Sequence, residues 1–157
     1  MLFTNEFEHT IDAKRRLAIP AEIRTRMDRT LHGVAFYVTF GPNGALWLWP
    51  ERTFEHMAQA MDSSLLPSEE MMDFDEIFFS QAERSDIDSA GRIRISDRLL
   101  EEAGISRNVV ILGVKDHLEV RDRTQWEERR LEKISDRGDI MLRARRALAE
   151  QERQQDQ

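Results

Sequence analysis

The chain of 157 residues combines 40% hydrophobic with 34% charged residues, which is the balance of a globular protein with one compact domain or two small fused ones. It contains no cysteine, which excludes a disulfide framework, a thiolate zinc site and a thiol nucleophile. Glu6 and Glu8 stand where a signal peptide needs basic and then apolar residues, and no segment approaches membrane-spanning length. We therefore expect a soluble cytoplasmic protein without a membrane partner.

The net charge of −7 is unevenly distributed along the chain. Residues 62–88 carry nine acidic side chains opposed only by Arg84. Residues 12–26 carry five basic side chains opposed only by Asp12 and Glu22. Because binding to a polyphosphate depends on the Lys and Arg side chains that meet phosphates, a nucleic-acid partner is compatible with this sequence near its basic segment.

An internal repeat organises the chain. The segment 12–19 (DAKRRLAI) recurs 76 positions later as 88–95 (DSAGRIRI). In each copy an apolar strand pattern enters the Asp, a turn leads to the Arg, and a short alternating strand and a helical pattern follow. The predicted helices cover 20–27 and 97–103, and the predicted closing strand pairs cover 34–40 with 45–49 and 109–114 with 118–121. A unit of about 50 residues would be only marginally stable alone, so we expect it to share one core with its twin.

Helices are also predicted between and after the two copies. Apolar residues recur at helical spacing in a first connector, namely Phe54, Met57, Met61 and Leu65, and in a second one after Ser68, namely Met71, Phe74 and Phe78. From about Trp126 the pattern predicts charged amphipathic helices, with residues 151–157 disordered. We divide the chain into a first repeat (1–54), a helical connector (55–82), a second repeat (83–126) and a C-terminal helical tail (127–157).

Each repeat carries an aspartate and an arginine four positions apart, Asp12 with Arg16 and Asp88 with Arg92. The second turn is typical of type I, in which the Asp accepts backbone amides and Gly91 supplies a positive φ. A single pair of this kind would be interpreted as a structural salt bridge worth about 0–1 kcal/mol. The duplication of both charges favours a functional role.

The first loop has additional basic neighbours. Lys14, Arg15 and Arg16 can contact phosphates, and an arginine can bind O6 and N7 of guanine bidentately. Without the repeat, this cluster would be interpreted as a solubilising patch. Because residues 89–91 of the second loop are neutral, we expect Arg16 to matter more for DNA binding than Arg92.

The segments 7–20 (FEHTIDAKRRLAIP), 78–83 (FFSQAE) and 88–93 (DSAGRI) resemble the MraZ family in order and spacing, over most of residues 1–130. The resemblance implies an α+β fold in which two tandem swapped-hairpin β units form a pseudo-twofold AbrB-like barrel decorated by helices. It also implies a sequence-specific transcriptional regulator of the division and cell-wall gene cluster. Such a regulator would bind short direct repeats in double-stranded promoter DNA, on the nucleoid, as a homo-oligomeric ring of octamer to dodecamer size.

The resemblance also implies site residues. It makes Asp12 with Arg16 and Asp88 with Arg92 the paired motif residues, and it places Lys14 at the family's basic loop position. We predict that the DNA-binding residues are Lys14, Arg15, Arg16, Arg92 and Arg94, and that the residues supporting the motif are Asp12, Asp88 and Gly91. No cofactor, metal ion or catalytic residue is expected.

Two positions depart from the family pattern. Arg15 stands where the family has glycine, so the loop is either strained by about 1 kcal/mol or reshaped. Ser96 replaces the proline that matches Pro20, although serine can cap the following helix. On the first helix, Arg24 and Arg26 are assigned to a solvated face.

Other classes of function remain open. A protein-interaction or antitoxin-like scaffold would use the same barrel, with the acidic linker as its contact surface, and its DNA retention would not depend on Arg16. An enzyme would need a hidden carboxylate pair such as Asp73 and Glu76. The four histidines have neither metal-binding nor triad spacing, and no Gly-rich phosphate loop is present.

The sequence also suggests an oligomer. Trp47 and Trp49 alternate with Leu46 and Leu48, so one pair faces inward, and an exposed tryptophan would indicate a subunit interface. Together with the narrow apolar stripe of the C-terminal tail, this pattern predicts a closed oligomer.

Overall fold

A computed structural model describes residues 1–61 and 63–157. Asp62, a member of the acidic stretch, lies outside the described residues. The chain divides into two compact units, Met1–Arg123 and Thr124–Gln157. Within the described residues there are eight strands and seven helices, so the fold is mixed α+β, as predicted.

The elements follow the order that the repeat predicts, except for an additional short helix in the first repeat. The first repeat contains β1 (Glu6–Thr10), β2 (Arg16–Ala18), α1 (Ala21–Arg24), α2 (Arg29–His32), β3 (Ala35–Phe40) and β4 (Leu46–Pro50). Between the repeats lie α3 (Glu51–Ala60) and α4 (Glu69–Gln81). The second repeat contains β5 (Glu83–Asp86), β6 (Arg92–Arg94), α5 (Asp97–Glu102), β7 (Asn108–Val114) and β8 (His117–Asp122). The chain ends with α6 (Arg123–Ser135) and α7 (Arg137–Gln155).

The strands of the two repeats pair with one another. The larger sheet is antiparallel with the order β1-β7-β8-β4-β3-β5, and the smaller one is the ribbon β2-β6. The first strand of each repeat, β1 or β5, therefore pairs with the third strand of the other repeat. At the centre, Trp47 of β4 lies opposite Glu119 of β8. The strand order is therefore symmetric: replacing each strand by its equivalent in the other repeat gives the same order from the opposite edge.

The hydrophobic core draws on both repeats. Along β4 and β8, Leu46, Leu48, Leu118 and Val120 are fully buried, and Leu17 and Ile93 are equally buried in the ribbon. Ile23 of α1 and Leu99 of α5 lie in the same cluster. Because alternate strand residues face one side of a sheet, this face is built from the period-two apolar pattern.

Two predicted helices end earlier than expected. The pattern that placed Leu65 in the first connector helix is wrong, because α3 ends at Ala60 and Leu65 is 96% exposed. Met61 has an extended backbone, which terminates the helix. By contrast, α4 begins as predicted, since the Ser68 hydroxyl accepts a hydrogen bond from the Met71 amide at 3.3 Å. Likewise α1 ends at Arg24 instead of residue 27.

The tryptophans are less exposed than the sequence suggested. Trp49 is 6% exposed, and its indole nitrogen donates to Thr39 Oγ1 at 3.1 Å. Trp47 is half-buried and stacks on the His117 imidazole, with ring centroids 4.0 Å apart. The expectation of an exposed tryptophan at an interface therefore fails for Trp49, because the second face of the sheet is covered by helices α3 and α4.

The second unit is helical and highly charged. Its helix α7 continues to Gln155, so the predicted disorder of residues 151–157 is wrong for most of that segment. An ion pair between Arg143 and Asp139, at 2.9 Å, links successive turns of α7. Among the described residues, no helix combines the length and apolarity needed to cross a membrane.

Candidate nucleic-acid interface

The first loop is held together by one aspartate. Oδ1 of Asp12 accepts hydrogen bonds from the backbone amides of Lys14 and Arg16, each at 2.9 Å. Oδ2 accepts from Nε of Arg16 at 2.7 Å. The Arg16 amide is the main cause that lowers the pKa of Asp12 below its ordinary value, and the Arg16 guanidinium and the Lys14 amide act in the same direction against partial desolvation. At neutral pH this carboxylate is therefore charged and holds Arg16 at the loop.

The second loop repeats this arrangement. Oδ1 of Asp88 accepts from the amides of Ala90 and Arg92, each at 2.9 Å, and Oδ2 accepts from Nε of Arg92 at 3.1 Å. The Arg92 amide is again the main cause that lowers the pKa of the aspartate. The two Asp-x-x-x-Arg segments thus form the same Asx-type turn with the same ion pair.

The third residue after each aspartate has a left-handed backbone. Gly91 has a φ of 76°, and Arg15 at the matching position has a φ of 63°. The loop therefore keeps its shape when glycine is replaced. The left-handed conformation of Arg15 costs roughly 1 kcal/mol, so the loop is strained and not reshaped.

The ribbon β2-β6 joins the two loops. Arg16 lies opposite Arg94, and Ala18 lies opposite Arg92. The residues between them, Leu17 and Ile93, are buried, so the three arginines share the outer face of the ribbon. Two reciprocal backbone hydrogen bonds of 2.9 Å, from the Ile19 amide to the Gly91 carbonyl and from the Ile95 amide to the Arg15 carbonyl, attach each strand to the loop of the other repeat.

All five predicted DNA-binding residues line one concave surface, called here the basic concavity, with a volume of about 560 Å³. Its basic residues are Lys14, Arg15, Arg16, Arg92 and Arg94, and its acidic residues are Asp86, Asp88 and Asp97. Two of the five cations, Lys14 and Arg94, form no ion pair with any residue that the structure describes. The basic concavity therefore presents uncompensated positive charge where the two loops meet.

Sequence reasoning missed two residues at the loops. Asp97, the first residue of α5, forms an ion pair with Nε of Arg15 in the first loop. Arg24, the last residue of α1, lies against Gly91 in the second loop. Neither contact has a signal in the sequence, because each helix covers the loop of the other repeat.

The acidic pair considered for an enzyme does not lie in a comparable cluster of functional side chains. Asp73 and Glu76 lie on α4 and are exposed. Within the described part of the chain, no group of three or more His, Cys, Asp or Glu side chains is placed to hold a metal ion.

Sequence comparison identifies relatives over most of the chain. The family described as "MraZ protein, putative antitoxin-like" matches residues 2–75 and 78–146. A protein of Moorella thermoacetica named "Transcriptional regulator MraZ" is 35% identical over 127 residues, which cover 81% of this chain and 85% of the relative. A protein of the same name from Symbiobacterium thermophilum is 36% identical over 123 residues, which cover 78% of this chain and 86% of the relative. Another, from Finegoldia magna, is 32% identical over 127 residues, which cover 81% of this chain and 85% of the relative.

These relatives carry the name of a regulator and not of an enzyme, in agreement with the expectation that the chain is not an enzyme. The match to the family spans both repeats, together with the two loops that form the basic concavity. The chain belongs to the MraZ family.

Proposed function

We propose that this protein is a sequence-specific DNA-binding transcriptional regulator. The observation that carries the proposal is the convergence of Lys14, Arg15, Arg16, Arg92 and Arg94, from two loops that are far apart in sequence, in one basic concavity. The names of the relatives support the same function.

The geometry suggests a division of roles within the basic concavity. Arg16 and Arg92 are oriented by ion pairs with Asp12 and Asp88, and an oriented guanidinium suits bidentate contact with a guanine edge. Lys14 and Arg94 have no such partner among the described residues and suit contact with phosphates.

For the fold, we propose two swapped-hairpin units forming a pseudo-twofold AbrB-like barrel. This is supported by the pairing of β1 with β7 and of β5 with β3, by which the repeats exchange their first strands. The division into residues 1–54, 55–82, 83–126 and 127–157 belongs to the same proposal.

For the assembly, we propose a homo-oligomeric ring, octamer to dodecamer, on short direct repeats in the promoter of the division and cell-wall gene cluster, in the cytoplasm at the nucleoid. One small loop pair binds weakly, and neighbouring subunits on successive repeats raise the affinity through effective concentration. Light scattering at micromolar concentration tests the ring, since a monomer mass near 18.4 kDa contradicts it.

A gel-shift assay at two salt concentrations tests the DNA-binding function, with promoter DNA of the protein's own gene and a scrambled duplex. We expect the promoter DNA to be preferred by a factor of about 10³ or more, with binding that weakens as salt rises. The double variant Arg16→Ala, Arg92→Ala should lose this preference. A matched control, Arg52→Ala with Arg153→Ala, removes two exposed arginines outside the basic concavity and should keep it. Equal binding to both duplexes by the unmodified protein contradicts the proposal.

A protein-interaction role is the second candidate. It is favoured by α4, where the apolar Met71, Phe74 and Ile77 are 41%, 39% and 65% exposed among acidic residues, and by the antitoxin-like description of the family. DNA retention that is unaffected by Arg16→Ala would favour it.

A further inference from the structure

The second loop receives a cation from the other repeat. Arg24, at the end of α1, is anchored through Nε, which donates to the Ile19 carbonyl at 3.0 Å. Its guanidinium lies directly over Gly91, because a Cβ added to that glycine would collide with Cδ, Cζ and Nη1 of Arg24. No carboxylate among the described residues forms an ion pair with Arg24. An exposed, anchored and uncompensated guanidinium therefore stands beside Gly91 in the second loop.

The matching positions in the other half are occupied differently. By the offset of the repeat, Leu100 of α5 corresponds to Arg24, and Arg15 corresponds to Gly91. Leu100 is 6% exposed and belongs to the core. The first loop thus has its additional guanidinium in the loop itself, and the second loop has it on the helix that covers the loop. Only the first of these guanidiniums is paired with a carboxylate, that of Asp97.

A groove next to the second loop offers space for an anion. Its volume is about 370 Å³, and Arg24, Arg29, Ser89 and Gly91 are among the residues that line it. The absence of a side chain on Gly91 leaves the guanidinium room to lie beside the loop backbone. Asp88 also lines the groove, but its carboxylate is engaged by Arg92 and by two backbone amides.

We propose that Arg24 binds a backbone phosphate of double-stranded DNA and completes the binding surface of the second loop. The inference rests on the proposed DNA-binding function and adds a contact to it. Arg24 supplies to the second loop the positive charge that Arg15 and Lys14 supply to the first. Both loops then engage DNA with comparable electrostatic strength, although their own sequences differ in charge.

The test is the salt dependence of DNA binding by the full-length oligomer. Arg24→Gln should reduce the magnitude of the slope of log K against log salt by about 1 for each engaged subunit. It should weaken binding to promoter and scrambled DNA alike, because a phosphate contact carries no sequence information. The matched control is Arg26→Gln, which removes the same charge two residues later from an exposed side chain without a partner among the described residues. This control should leave the slope unchanged.

A charge-retaining variant separates binding from structural support. Arg24→Lys keeps the cation but loses the Nε hydrogen bond to Ile19, and we expect it to retain most of the slope. If Arg24→Gln and Arg24→Lys weaken binding equally with an unchanged slope, Arg24 only supports the loop and the inference is wrong. The melting temperature of each variant is measured alongside, and the Lys variant decides the question if the Gln variant is unstable.

The parent proposal fails in a distinguishable way. If Arg16→Ala and Arg92→Ala bind promoter DNA like the unmodified protein, the DNA-binding surface has been assigned wrongly. If these two variants lose binding while Arg24→Gln keeps the full salt slope, the basic concavity binds DNA and only the assignment of Arg24 is overturned.

Discussion

In the first loop Arg15 has a left-handed backbone and pairs with Asp97, whereas in the second loop Gly91 has the same backbone and lies under Arg24. The hydrogen bonds inside the two loops join the same atoms: in each loop the aspartate accepts from the amide and from Nε of the arginine. The shape of each loop is therefore a local property. Its charge environment depends on a helix that belongs to the other repeat.

The largest expected effect tests whether the two halves share one core symmetrically. Leu17→Ala and Ile93→Ala remove side chains that are 0% and 1% exposed at matching positions of the ribbon. Each should lower the free energy of unfolding by about 2–5 kcal/mol, and the two losses should be similar. Chemical denaturation measures this. Leu31→Ala, at a position 69% exposed, is the control and should change it by less than about 0.5 kcal/mol. A large loss for one ribbon residue alone would show that the halves are not equivalent.

The next effect compares the loops in binding. The sequence alone predicts a greater loss for Arg16→Ala than for Arg92→Ala, because the second loop has no basic residues of its own besides Arg92. With Arg24 placed beside the second loop, we expect comparable losses of about 1–3 kcal/mol per engaged site, with reduced discrimination between promoter and scrambled DNA. Titration of both variants measures this. A loss confined to Arg16→Ala would restore the expectation from sequence.

A smaller effect is expected from substitutions at the matching positions where the two loops differ, Arg15 and Gly91. Gly91→Ala should lower the free energy of unfolding by about 1–2 kcal/mol, because φ is 76° and the new Cβ collides with Arg24. Arg15→Gly should raise it by up to about 1 kcal/mol by relieving the left-handed strain. Thermal unfolding of both, with Ser89→Ala as the control, checks the opposite signs. Destabilisation by Arg15→Gly would mean that its pair with Asp97 outweighs the strain.

The smallest effect is a pH dependence where the two halves meet. Burial lowers the pKa of His117, but hydrogen bonds and charge from Glu119 and Asp116 outweigh it and raise the pKa above 6.5. The same imidazole stacks on Trp47, and Glu119 also pairs with Arg121 at 2.9 Å and accepts from Asn43.

The raised pKa of His117 fixes the direction in which the free energy of unfolding changes with pH. The stabilisation is fully present below the unfolded pKa near 6.5 and is lost as pH rises through the folded value. The free energy of unfolding, measured with denaturant, should therefore decline from about pH 6 to about pH 8, and His117→Gln should remove this decline. A decline of equal size in that variant would assign the effect to other groups.

Much of the candidate site could be predicted from the sequence. The Asp-x-x-x-Arg turns form from hydrogen bonds within five consecutive residues, so Asp12 with Arg16 and Asp88 with Arg92 were recognisable without any tertiary information. Ser68 and Ser96 cap their helices for the same reason, since the hydroxyl reaches an amide three residues later.

The incorrect expectations share a different cause. The strand pattern makes Trp49 a candidate for an exposed interface residue. It is buried, because helices α3 and α4 cover a sheet face that the strand pattern leaves open. Leu65 has the apolar spacing of a helix but lies beyond the end of α3. Periodicity shows which residues share a face and not which element packs on that face.

The sequence by itself determined the duplication, the two Asp-x-x-x-Arg turns and much of the apolar pattern that faces the core, because these depend on contacts within a turn or on alternation along a strand. Only the tertiary structure decided which helix covers which loop. That choice follows from pairings such as Phe7 with Ile111 and Tyr37 with Arg84, between strands distant in the chain. These pairings bring Arg24 to the second loop and Asp97 to the first.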